Sequence, residues 1–188
     1  MDSDTVTTSY AAPAGFTIRS LSPAETEAAA PALAAVLLDC IDGGASVSFM
    51  ADLTRNQAEA FWRGVAREAE VDGRAVLVAE DAAGIAGVVE VIPAWADNQP
   101  HRADIAKMLV HRRARRRGLA EALLRAAEQA AADMAKTELV LDTVTGGDAE
   151  RLYARLGWTK VGVIPDYALF PDGRFCDTTV FYKRVGVR

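Results

Sequence analysis

Apolar and polar positions divide the chain into alternating short strands and amphipathic helices. Phe16–Ser20 alternates apolar with polar residues, the period of a half-buried strand. Ser22-Pro23-Ala24-Glu25 reads as a helix start, with Ser as N-cap, Pro at the first helical position and Glu closing a capping box. This helix is expected to run to about Asp39 and to stop at Gly43-Gly44. Ser46–Met50 is a short apolar connection, after which Thr54 caps a second helix near Gln57–Glu70 with Phe61, Trp62 and Val65 on its apolar side. Asp72-Gly73 is a turn signal before a strand over Arg74–Glu80, and Gly84 separates it from Ile85–Ile92, so the two read as a hairpin. A polar loop, Pro93–Pro100, leads to a strand over Ala103–Val110. Leu119–Ala135 is a long Ala/Leu-rich helix, and Leu139–Thr143 a buried strand rich in branched residues. Gly146-Gly147 precedes a short helix, Ala149–Leu156, capped by Asp148 and ended by Gly157. Thr159–Ile164 and Cys176–Lys183 read as the last strands. The order, β-α-α-β-β-β-α-β-α-β-β, predicts a single α/β domain over residues 16–188.

Composition narrows the function classes. The chain has 188 residues, enough for one real core, and 51% of them are hydrophobic against 25% charged, as expected of a globular domain. A net charge of −5 disfavours general nucleic-acid binding, which needs surplus Lys and Arg for phosphate. No apolar run approaches the roughly 20 residues that span a bilayer. Residues 1–15 carry Asp2 and Asp4 but neither a basic region nor an apolar stretch, so they read as a short, weakly ordered leader and not a secretory signal. Cys40 and Cys176 have no metal-like spacing and read as small buried residues in a reducing compartment. A cytoplasmic protein without a bound metal is expected.

The segment Val110–Ala120, Val-His-Arg-Arg-Ala-Arg-Arg-Arg-Gly-Leu-Ala, carries the first chemistry. It leaves an apolar strand and opens into the long helix, so unpaired N–H groups and the helix dipole at that helix start would face an anion. Gly118 and Ala120 leave room for a phosphate to approach the backbone. Five arginines and His111 cluster here, but no aromatic residue is interleaved for base stacking, which disfavours a nucleic-acid patch. Arg115-x-x-Gly118-x-Ala120 resembles the acyl-CoA pyrophosphate loop of the GCN5-related N-acetyltransferases, with Arg112 where that family usually has Pro. Ala149-Glu-Arg-Leu-Tyr153-Ala-Arg-Leu-Gly157-Trp158 resembles a second segment of the family, with Gly146 where many members have Asn.

The resemblance covers essentially the whole chain and implies a mixed, twisted sheet of about seven strands flanked by about four helices. In that fold a strand pair splays to hold acetyl-CoA. Met108, Leu109 and Val110 would pair with pantetheine, and a backbone N–H near Leu109 or Val110 would polarise the thioester carbonyl. Arg115, Arg116, Arg117, Gly118, Leu119 and Ala120 would hold the phosphates. Tyr153 matches the tyrosine that protonates the departing thiolate in many members. The base that frees the amine could be Asp142, Glu90, His101 or His111; Asp142 acting through water, with Tyr153 as acid, is the expectation. Acceptor contacts are expected from the first helix pair, the Pro93–His101 loop and the Pro165–Phe175 loop, with Phe49, Trp62, Glu90, His101 and Tyr167 as candidates and Trp95 and Phe170 beside them. Segments such as Lys107–Arg116, Leu139–Thr143 and Val161–Ala168 are similar to family members that acetylate an amino-acid-like toxin. That implies a small amine as acceptor and a role in toxin resistance, in a monomer or homodimer. A peptide or protein acceptor, and a CoA-binding sensor without catalysis, are the alternatives.

Overall fold

The computed structural model describes residues 8–186. The strands are β1 (Ser9–Tyr10), β2 (Thr17–Leu21), β3 (Ala75–Asp81), β4 (Gly84–Pro93), β5 (Arg102–Val110), β6 (Glu138–Val144), β7 (Thr159–Leu169) and β8 (Phe175–Arg184). The helices are α1 (Pro23–Ala28), α2 (Ala30–Asp42), α3 (Arg55–Asp72), α4 (Leu119–Asp133) and α5 (Asp148–Arg155). All eight strands form one open sheet in the order β1-β2-β3-β4-β5-β6-β8-β7. Its neighbours are antiparallel except β5 and β6, which are parallel. The expected fold class holds, with eight strands for about seven and five helices for about four among the described residues.

Alternation along the strands gives the sheet two apolar faces. On one, Ile18, Leu77, Val89, Val91, Leu139, Leu141 and Phe181 pack with Leu119, Leu123 and Leu124 of α4 and Tyr153 of α5. On the other, Val76, Val78, Val88 and Leu109 meet Leu33 and Leu37 of α2 and Trp62 and Val65 of α3. Gly87, inside β4, is what brings α4 so close: a Cβ there would stand 2.9 Å from Leu123 Cδ1 and 3.0 Å from the Leu109 carbonyl oxygen. Both expected capping boxes form, Ser22 with Glu25 and Thr54 with Gln57.

Three local readings change. The first helix breaks at Ala29, because the Pro31 ring removes a donor from the helical ladder. β7 continues five residues beyond the expected end at Ile164, because the irregularity between Ile164 and Ala168 takes Pro165 out of the ladder of an edge strand. Ser9–Tyr10 pairs with Ile18 and Arg19 of β2 inside the segment read as a leader, whose first seven residues lie outside the described ones. Both cysteines are buried and free. Among the described residues no helix is long and apolar enough to cross a membrane.

Candidate functional site

The site begins where the sheet comes apart. β5 and β6 pair only over Arg102–Asp104 and Glu138–Val140. Past these three positions β5 stays on β4 as far as Val110, while β6 follows β8 as far as Val144, so a wedge opens between them. The ladder decides which backbone groups face the wedge. His111 N–H donates to the Ala86 carbonyl at 2.9 Å, which makes Gly87–Val110 the intervening non-bonded pair of the antiparallel ladder. The Leu109 N–H is therefore directed at β4 and the Val110 N–H at the wedge. The Leu109 side chain is buried among α2 and α3 residues, and Met108 and Val110 pack on the α4 side.

Beyond β5 the chain makes a 3₁₀ turn over Arg112–Ala114 and enters α4 through Gly118, whose φ of 77° is the left-handed conformation that glycine adopts without strain. No side chain caps α4, and Leu119 is buried as its anchor, so the first-turn N–H groups around Ala120 are left without a side-chain acceptor, an arrangement able to take an anion. The arginines divide by partner. Arg112 is tied to Asp39 and Asp42, and Arg113 to Asp81. Arg115 Nε turns back to the Val110 carbonyl at 3.0 Å. The Arg117 guanidinium lies 4.4 Å over the Phe16 ring, and Arg116, exposed at φ 61°, makes no ion pair among the described residues. Arg115, Arg116 and Arg117 thus have no carboxylate partner among the described residues, whereas Arg112 and Arg113 do. His111 serves the loop: its Nδ1 accepts from the Arg113 N–H at 3.2 Å.

Tyr153 approaches from α5. Its ring sits 6.0 Å from both Trp158 and Phe181, and it is 5% exposed. Its hydroxyl finds no protein hydrogen-bond partner among the described residues. Burial, with the negative charge of Asp142 adding to it, pushes the phenol up to about 12. Asp142 lies exposed on β6 and accepts from Thr178 Oγ1 at 3.0 Å. Glu150 holds the α5 end of the site: it takes the Gly146 N–H and the Thr179 hydroxyl and pairs with Lys160. Gly146 has a φ of 79°, a conformation open to Gly and, less freely, to Asn.

The acceptor candidates scatter. Phe49 is half-buried with its ring 5.1 Å from Phe61. Trp62 is fully buried in the core under α2 and so is no wall of an open mouth; its Nε1 has no partner. Glu90 is buried beside Arg74 at 3.3 Å, and burial raises its carboxyl above the usual range. His101 is exposed at the paired end of β5, where its carbonyl accepts from Thr137 and Glu138. The Pro93–His101 loop therefore packs against the α4–β6 connection. Tyr167 is exposed on the edge strand and Trp95 is exposed in its loop. The hairpin tip between β7 and β8 does reach the helices: Pro171 accepts from the Ala51 N–H, and Leu169 from Ser46 Oγ at 2.7 Å. A cavity of about 480 Å³ lies there, lined by Leu38, Ile41, Ala51, Phe170, Pro171 and Arg174.

Two further residues lie beside these positions without a local sequence signature that marks them. Thr178 orients Asp142, and nothing in its local pattern marks it. Lys107 is a cation in the largely apolar second half of β5, the one charged residue between Ile105 and Val110. It has a φ of 47° in an irregularity where two β5 residues, Lys107 and Met108, oppose one on β4.

Comparison with known proteins agrees with this geometry. Residues 72–160 match the family model described as an acetyltransferase (GNAT) domain. Among solved structures the chain is similar to yncA, a putative acetyltransferase from Salmonella typhimurium with its cofactor acetyl-CoA, at 19% identity and a TM-score of 0.75, covering 93% of this chain and 96% of that one. It is similar to a ribosomal-protein-alanine N-acetyltransferase from Brucella melitensis at 21% identity and 0.74, covering 89% and 99%. A phosphinothricin acetyltransferase from Sinorhizobium meliloti in complex with AcCoA matches at 15% identity and 0.73, covering 92% and 89%.

Proposed function

We propose that this chain, an α/β protein of the GNAT fold with the acetyltransferase domain match over residues 72–160, moves an acetyl group from acetyl-CoA to the amine of a small molecule by direct attack. The observation that carries the small-molecule reading is the clasp between the hairpin tip and the α2–α3 loop, Ala51 to Pro171 and Ser46 to Leu169. Such a clasp would close one side of a cleft that a peptide needs open.

Acetyl-CoA supplies an activated thioester, and the residues present fit it. The first turn of α4 offers N–H groups to a pyrophosphate, and Arg116 and Arg117 are available for a further phosphate. The wedge beside β5 leaves room for an extended chain, with backbone groups of Met108 to Val110 along it. N–H groups on that side of β5, Val110 among them, stabilise charge gathering on the thioester oxygen. Asp142, oriented by Thr178, draws the proton from the acceptor ammonium through water. Tyr153 gives its proton to the departing thiolate. A phenol near 12 is fully protonated at neutral pH, which suits a donor. Neither cysteine makes a persuasive nucleophile: burial raises the Cys40 thiol, and Cys176 lies outside both motifs.

The resemblance of Asn98–Asp104, Lys107–Arg116 and Val161–Ala168 to tabtoxin resistance protein favours an amino-acid-like toxin as acceptor and resistance in the cytoplasm as the role. The test is free-thiol release from acetyl-CoA across tabtoxinine-β-lactam, other amino-acid-like toxins, aminoglycosides, polyamines and short peptides. Turnover confined to small amines supports the proposal. Turnover with peptides alone, or acetyl-CoA binding without turnover on any amine, overturns it.

A further inference from the structure

We propose that Lys107 selects the acceptor, its ammonium holding a carboxylate carried by the same molecule whose amine is acetylated. This rests on the acetyl-transfer reading for the fate of the amine, and it adds the acidic group that the acceptor must bear.

Lys107 is placed by strain. At φ 47° it adopts a backbone conformation that side-chain-bearing residues rarely take, and the irregularity around it is what keeps its side chain on the α3 side of the sheet. There Nζ meets the Ser48 hydroxyl at 3.2 Å and lies 5.6 Å from the centre of the Phe61 ring. Ser48 is itself at φ 77°, so two strained residues on separate elements meet at one point. Local strain of this kind gathers at binding sites.

The ammonium is also uncommitted. Arg112, Arg113, Lys160 and Lys183 each sit on a carboxylate. Lys107 has none within ion-pair distance among the described residues. Glu90, whose carboxylate feels the Lys107 charge, is already held by Arg74 at 3.3 Å. A hydroxyl and an aromatic face leave an ammonium with capacity for an anion.

Its position completes the argument. The last β5–β6 rung is Asp104 with Val140. Asp142 stands two residues beyond Val140, so it shares the face of Val140 and Asp104. Lys107 stands three residues beyond Asp104, and the extra residue of the irregularity keeps it on that same face. A cation and an anion thus flank the mouth of the wedge from one side. A zwitterion matches them, ammonium toward Asp142 and carboxylate toward Lys107. An amine without an acidic group leaves Lys107 unused.

The experiment takes amino acids in matched sets: the free acid, its carboxamide and the decarboxylated amine. Thiol release gives kcat/KM for each. Wild type is expected to favour the acid at least tenfold. Lys107→Gln lowers the acid to the level of its amide, and Lys107→Arg retains the preference. Lys107→Gly, which suits the left-handed backbone, behaves as Lys107→Gln while keeping the fold. The same sets are titrated by calorimetry into protein saturated with CoA, which reads the carboxylate contact without turnover. A Lys107-dependent preference in binding with no thiol release on any amine upholds this proposal and overturns acetyl transfer. Equal handling of acid and amide by wild type in both assays, or a preference that survives Lys107→Gln, overturns the proposal.

Discussion

Replacing Tyr153 by Phe separates chemistry from folding unusually well at this site. The hydroxyl has no protein partner, and the ring neighbours, Trp158 and Phe181 at 6.0 Å, remain in place. The hydroxyl is not a sealed, unsatisfied group, since Trp62 Nε1 alone has that standing among the described residues, so its removal is expected to leave the melting temperature nearly unchanged. Acetyl-CoA affinity is expected to stay within about twofold, because the proposed anion site lies on α4. Loss of a general acid removes roughly 10²–10⁴-fold in rate. At about 1.4 kcal/mol per decade that is about 3–5 kcal/mol of transition-state stabilisation. The assay is kcat from thiol release, with calorimetry for acetyl-CoA and a thermal melt as controls. A Tyr153→Phe enzyme with kcat within threefold of wild type refutes the assignment, and an equal loss of affinity and rate points to damage of the cofactor site instead.

The pH behaviour of Tyr153 follows from its shift. Its folded pKa of about 12 stands above the ordinary phenol value of 10.0, so the neutral phenol carries no penalty below pH 10, and the folded state loses stability as pH rises from 10 toward 12 because the buried phenolate is disfavoured. That loss is about 3 kcal/mol, and the Tyr153→Phe variant is expected to lack it in denaturant melts taken across the same window. Gly87→Ala forces a methyl onto Leu123 and the Leu109 carbonyl and is expected to cost about 1–3 kcal/mol, read as a lower thermal midpoint. Thr54→Ala removes one capping box from α3 and is expected to cost about 1 kcal/mol by urea titration. Arg116→Ala is expected to weaken acetyl-CoA binding about fivefold, near 1 kcal/mol, with no such effect on 3′-dephospho-CoA; equal weakening of both ligands assigns Arg116 elsewhere.

Much of this architecture was legible because it is encoded locally. Ser22 with Glu25, and Thr54 with Gln57, announce helix starts through contacts three residues long. The left-handed Gly73 and Gly118 mark an end and a beginning where the pattern put them. Pro31 is an equally local signal of a break, set inside a continuous apolar pattern that by itself reads as one helix. What stayed hidden depends on distant partners. The arginine run looked uniformly available, yet Asp39 and Asp81 claim two of its members from 73 and 32 residues away. Trp62 and Phe61 are neighbours on an apolar helix side, and only packing decides that Trp62 is core while Phe61 meets Lys107. The irregularity at Lys107 is invisible to an alternation reading, because a lysine at positive φ has no compositional mark.

The three β5–β6 rungs carry a mechanical consequence. The domain is two slabs of sheet joined along a short seam, whereas β6 and β8 alone share seven positions. The seam is short, and on one face the α4 core bridges the two slabs. Whatever lies along β5 past Asp104 occupies the place of an absent strand and braces both slabs at once. Filling the wedge and stiffening the molecule would then be one equilibrium, and amide exchange along the seam is expected to slow in step with ligand occupancy. Emptying the wedge is expected to return the protein to a more compliant form.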